Sequence, residues 1–148
     1  MTVAVVTIVA GRHQHLRNQQ LGLQRGSALP DLYVVVGMDD PEALRLTVAG
    51  PLSSTSISIL PVSISTAGGP LPLAAARNAG VAAAIAAGAD TLILLDVDCI
   101  PSHDLVAGYT RAVATEQNSS VFCGVVRYLD ADADVAELAA GVALGVPH

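Results

Sequence analysis

Residues 73–98 read LAAARNAGVAAAIAAGADTLILLDVD. Leu73 to Ala87 is a helix of small residues interrupted only by Arg77-Asn78 and Gly80. Gly80 lowers helix propensity, and small residues allow a helix to lie close on a sheet. Gly88-Ala89-Asp90 ends the helix. Thr91 to Leu95 then has no polar face, as expected of a strand buried on both sides. It runs directly into Asp96-Val97-Asp98.

The same alternation extends in both directions. Val3 to Ala10 and Leu32 to Val36 are short apolar runs rich in β-branched residues, and Ile57 to Ile64 and Ser120 to Tyr128 read as further strands. Helices are expected from Gln14 to Arg25, Glu42 to Val48, Pro101 to Val113 and, more weakly, Val135 to Leu144. Unbroken apolar strands alternating with helices predict a mostly parallel, three-layer, Rossmann-like α/β sheet. No internal repeat or composition break divides the 148 residues, so they read as a single domain, 1–148.

Composition removes several function classes. All seven basic residues are Arg, which excludes a P-loop lysine and Schiff-base catalysis. The aromatics are Tyr33, Tyr109, Phe122 and Tyr128, too few for a stacking platform. A net charge of −6 argues against nucleic acid as a partner. No G-x-G-x-x-G follows the first strand and no nucleophile elbow occurs. Cys99 and Cys123 read as reduced, buried thiols rather than a disulfide framework. No segment has the length of a membrane span and no basic leader precedes the first strand, so the expected location is cytoplasmic.

In open parallel sheets ligands sit outside the carboxyl ends of the strands. Three such ends carry polar clusters here: Gly11-Arg12-His13, Asp39-Asp40 and Asp96-Val97-Asp98. On extended chain Asp96 and Asp98 point the same way, giving two hard oxygen donors for Mn2+ or Mg2+ shared with substrate phosphates. Asp-x-Asp alone is a weak motif, and a strand-end turn is the alternative reading. Asp39-Asp40-Pro41 reads by itself as a turn. Arg77, near the start of an apolar helix, calls for an anionic partner, either a phosphate or the Asp96/Asp98 pair, unless it lies on the outer face. His13 and His15 lack a third ligand and read as loop and helix-start residues. Asp130, Asp132 and Asp134 open like a calcium loop, but Val135 and Gly141 stand where that loop needs Gly and Glu.

The combination Leu73-Ala-Ala-Ala-Arg77-Asn78-Ala-Gly80, helix, strand, Asp96-Val97-Asp98 resembles the family 2 glycosyltransferases. The first strand, running into Gly11-Arg12, and the second, ending at Asp39-Asp40-Pro41, match the order of that family's nucleotide-binding half. The resemblance covers about Val3 to Val126. It implies an A-type glycosyltransferase fold that is truncated, with the acceptor-binding half absent. It implies metal-dependent transfer of a sugar from a UDP- or GDP-type nucleoside diphosphate sugar to an acceptor hydroxyl, with inversion. Donor contacts then fall to Val9, Ala10, Gly11, Arg12, Asp39, Arg77, Asp96 and Val97, and the metal, Mn2+ or Mg2+, to Asp98 and Asp96. Ala10-Gly11-Arg12-His13 departs from the family's usual first-loop signature, and no Asp-Gly-Ser follows the second strand, so base preference stays open. Asp132, Asp134 and Glu137 are poor candidates for the catalytic base, which is left unassigned. The acceptor is likewise unassigned, and a homo-oligomer is an open expectation. Two other readings stand beside this one: a non-catalytic nucleotide-binding module acting with a partner chain, and a nucleotidyltransferase, against which the absence of Lys speaks.

Overall fold

The computed structural model describes residues 1–116, 120–129 and 146–147. Strands β1 (Val3–Val9), β2 (Leu32–Met38), β3 (Ser58–Ile64) and β4 (Thr91–Leu94) form one sheet in the order β3-β2-β1-β4. Every pairing in it is parallel, with Val5 beside Tyr33 on one side and Ile93 on the other. Between and after the strands run α1 (His13–Gln24), α2 (Pro41–Val48), a 3-10 turn (Pro51–Ser54), α3 (Leu73–Ala86) and α4 (Leu105–Thr115).

β1 and β2 are buried along their whole length, which is why their sequences show no polar face. Alternate residues serve opposite layers. Val5, Val9, Tyr33 and Val35 pack with Leu16 of α1 and Ala43 of α2. Val6 and Val34 pack against Ala84 of α3, and Ile8 and Val36 against Ala76. The small residues of α3 let it lie almost on the sheet. A Cβ at Gly80 would stand 2.5 Å from Val6 Cγ1 and 2.9 Å from Val36 Cγ2. Pro61 is tolerated because β3 is an edge strand, where one row of amides has no ladder partner to lose.

Three expectations need correction. The helix expected from Pro101 begins at Leu105, because the chain first makes a turn in which the Leu105 amide bonds to the Ser102 carbonyl at 3.1 Å. The strand expected over Ser120 to Tyr128 reduces to β5 (Arg127–Tyr128), antiparallel to β6 (Val146–Pro147) in a separate two-stranded sheet. Gly124, which weakens a strand interior, leaves room for the Tyr109 hydroxyl, which a Cβ there would meet at 2.6 Å, and Val121 and Val125 are exposed. Cys99 is half-buried and Cys123 exposed, so the cysteines are not core hydrophobes. The weak terminal helix expected from Val135 lies outside the described residues.

Candidate functional site

The sheet order reverses at β1: β2 and β3 lie on one side of it and β4 on the other. That switch point, at the carboxyl ends of β1 and β4, is where open α/β sheets bind their ligands. Arg12 follows β1, Asp96 and Asp98 follow β4, and Arg77 lies in the second turn of α3. Arg12 Nη1 donates to Asp98 Oδ2 at 3.0 Å, and Arg77 Nη2 to Asp96 Oδ1 at 2.7 Å. One ion pair joins residues 86 positions apart and the other residues 19 apart, and together they set two guanidiniums against the two carboxylates that follow β4. All four side chains are between 39% and 59% exposed. Pairs this exposed contribute about 0–1 kcal/mol, so the fold does not depend on them and either partner can be exchanged.

The two carboxylates are not on extended chain. β4 stops at Leu94, and the Cys99 amide bonds to the Asp96 carbonyl at 2.9 Å, closing a turn over residues 96–99. Val97 between them is buried at 8% exposure and anchors the turn in the core. Burial, followed by the Asp98 and Asp96 carboxylates, pushes the Cys99 thiol above its ordinary value.

Asp40 organises the loop after β1. Its carboxylate accepts from the Gly11 amide at 2.6 Å and from the Ala43 amide at 2.9 Å, capping α2, and both oxygens lie 3.0 Å from His13 Nε2. Burial is the largest single influence and opposes ionisation. The Gly11 and Ala43 amides with the His13 ring outweigh it, and the carboxyl sits below its ordinary value. Gly11 has φ +67°, a conformation that favours glycine, and presents its amide to Asp40. Val9 is buried at the end of β1, and Ala10 is partly exposed. Asp39, at φ +48°, turns toward the loop after β3, where the Thr66 hydroxyl and amide bond to its carboxylate. Those bonds, the hydroxyl's first, hold its carboxyl below the ordinary value. Arg12, Arg77, Asp96 and Asp98 are therefore brought together, whereas Asp39 has its contacts one strand further along.

Sequence reasoning missed a buried group under the turn. Gln19 of α1, Thr7 of β1 and Tyr33 of β2 are each fully buried, and both hydroxyls bond to Gln19 Oε1 beneath residues 95–99. The available signal was Gln19 and Gln20 lying between Leu16 and Leu23 on the apolar stripe of α1.

Among the described residues no group of three or more His, Cys, Asp or Glu side chains is placed to hold a metal ion. Asp96 and Asp98 fit a cation in a different way, as two exposed oxygen donors whose remaining ligands would be substrate phosphates. A separate cavity of about 500 Å3 runs along the free edge of β4, lined by Leu92, Leu94, Tyr109, Val121 and Phe122 among others. None of Arg12, Arg77, Asp96 and Asp98 lines it, nor does any other guanidinium.

The fold has a solved counterpart. The structure is similar to the crystal structure of S. aureus TarS 1-349, with a TM-score of 0.55 and 13% identity. The match covers 77% of this chain and 32% of that chain, so this chain spans about a third of its length. At that identity the likeness is one of fold: a mixed α/β chain whose four-stranded parallel sheet matches the Rossmann-like glycosyltransferase fold. No protein-family model matches the sequence, and no curated protein matches it. Among the described residues no helix is long and apolar enough to cross a membrane.

Proposed function

We infer that this chain binds a nucleoside diphosphate sugar of UDP or GDP type at the carboxyl ends of β1 and β4, as the donor-binding part of a glycosyltransferase. The observation that carries the reading is the meeting of Arg12, Arg77, Asp96 and Asp98 at the switch point of the sheet. The likeness in fold to TarS, a family 2 glycosyltransferase, supports it. The cluster is formally neutral, and its pairs are weak enough to trade partners. An arriving diphosphate takes the guanidiniums of Arg12 and Arg77, which suit planar, bidentate recognition of phosphate. The released carboxylates of Asp98 and Asp96 are then free for Mn2+ or Mg2+. When bound, that cation neutralises charge building on the departing diphosphate. Asp39 takes the base, with the loop from Val9 to Arg12 beside it, and Asp96 lies near the ribose and sugar. Asp132, Asp134 and Glu137 lie outside the described residues, and the part of the reaction assigned to this chain is donor binding.

Calorimetric titration with UDP and with GDP, each with and without Mn2+, tests the reading. Saturable binding that needs the metal and falls at least about tenfold in Asp98→Ala, the equivalent of about 1.4 kcal/mol, is the expected result. Equal binding in EDTA, or full affinity in the variant, refutes the metal assignment.

A further inference from the structure

Gln19, Thr7 and Tyr33 are fully buried polar side chains from three different elements, α1, β1 and β2. The Tyr33 hydroxyl donates to Gln19 Oε1 at 2.8 Å, and the Thr7 hydroxyl lies 2.8 Å from the same oxygen. Burial raises the Tyr33 pKa far above its ordinary value, so this hydroxyl remains a donor. A glutamine amide has one accepting end and one donating end. With the oxygen held by hydroxyls, Nε2 must face the other way. There it donates to the Asp96 carbonyl at 2.8 Å and to the Cys99 carbonyl at 3.3 Å. These are the first and last residues of the turn that carries both site carboxylates. The Thr7 hydroxyl also lies 3.0 Å from the Leu95 carbonyl, one residue earlier.

Core stability alone does not call for such a group, since replacing hydrogen-bonded partners together by apolar groups of the same shape is close to neutral. What the group holds distinguishes it. α1 begins next to Arg12, whose side chain bonds to Asp98, and carries Gln19 further along, gripping the backbone of Asp96. One helix therefore ties the loop after β1 to the turn after β4.

We propose that Gln19, oriented by Tyr33 and Thr7, is a positioning residue that fixes the Asp96 and Asp98 carboxylates relative to the Arg12 loop, and thereby sets affinity for a metal–nucleoside diphosphate. Its ligand part rests on the donor-binding reading of the same site; its conformational part rests on the hydrogen bonds alone.

Tyr33→Phe and Gln19→Met separate positioning from bulk stability. UDP and GDP affinities are measured with Mn2+, and amide hydrogen exchange of Cys99 is compared with that of Val5 in the core of β1. Losing one or all of these hydrogen bonds is expected to weaken nucleotide binding about threefold in Tyr33→Phe and about tenfold or more in Gln19→Met. The Cys99 amide is expected to exchange faster in both variants, by a larger factor than Val5. Wild-type affinity together with unchanged Cys99 exchange in Tyr33→Phe overturns the proposal, as does Cys99 exchange that rises only in step with Val5. If Gln19→Met does not fold, Tyr33→Phe decides. If the wild-type chain binds neither nucleotide with Mn2+, the donor-binding reading falls with the ligand part, and Cys99 exchange decides the positioning by itself.

Discussion

Asp40→Ala removes three contacts in one step. The carboxylate is 10% exposed, caps α2 through the Ala43 amide, holds the Gly11 amide at 2.6 Å and pairs with His13 at 3.0 Å. Loss of an N-cap costs about 1 kcal/mol. A charge-assisted bond to a backbone amide adds about 1.5–3 kcal/mol. The partly exposed His13 adds less than about 1 kcal/mol. The expected loss is therefore roughly 2.5–5 kcal/mol, a large share of a domain stability on the order of 5–15 kcal/mol. At about 2–4 °C per kcal/mol for a chain of this size, Tm falls by about 5–20 °C. Urea unfolding followed by far-UV circular dichroism at neutral pH measures the difference, with Asp39→Ala as an exposed control that loses less. The sign of the pH dependence follows from the depressed folded pKa of Asp40. Its contribution is complete above the ordinary carboxylate value of about 4 and is lost as pH falls through the lower folded value. The gap between wild type and variant must therefore close in acid. A gap below about 1 kcal/mol at neutral pH, or one that stays constant through the carboxylate range, refutes the reasoning.

Two further expectations concern packing and charge. Gly80→Ala should destabilise by about 1–2 kcal/mol despite the better helix former, because the new methyl collides with Val6 and Val36, whereas Gly108→Ala on α4, with nothing near its Cβ, should stabilise by up to about 1 kcal/mol; thermal melts of both variants decide. Arg77→Ala should change stability by less than about 1 kcal/mol, since its pair with Asp96 is exposed, while lowering nucleotide affinity at least about tenfold in titration calorimetry.

What could be read from the sequence follows from which residues carry a periodic signal. Val3–Val9 and Leu32–Met38 are buried on both faces, so every position is apolar or small and the strands are unmistakable. Only Thr7 breaks the first of them, and Thr7 proves to be the hydroxyl beneath the turn. Ala76, Gly80 and Ala84 of α3 likewise follow from burial against the sheet, whereas β4, with no polar face in its sequence, is buried on one face only, with Leu94 55% exposed. Residues 120–126 misled because they are apolar without being buried: Val121 is 94% exposed and Val125 80%. Apolar composition predicts a strand only where a neighbouring strand takes up its backbone. Asp40 was hidden because its partners, Gly11 and Ala43, are backbone amides whose approach no side-chain pattern records. Gln19 was hidden in a helix rich in Gln, where polar residues ordinarily mean a solvated face.

The central claim is that Arg12, Arg77, Asp96 and Asp98 form a site for a metal-bound nucleoside diphosphate. Paramagnetic broadening of amide resonances by Mn2+ at substoichiometric levels, with UDP or GDP present, tests it most directly. Selective loss of the Gly11, Asp98 and Cys99 signals is expected, with the Gly11 and Cys99 signals restored in Asp98→Ala and Val121 and Val125 unaffected. Broadening that spares the Asp96–Cys99 turn, or that persists in the variant, contradicts it.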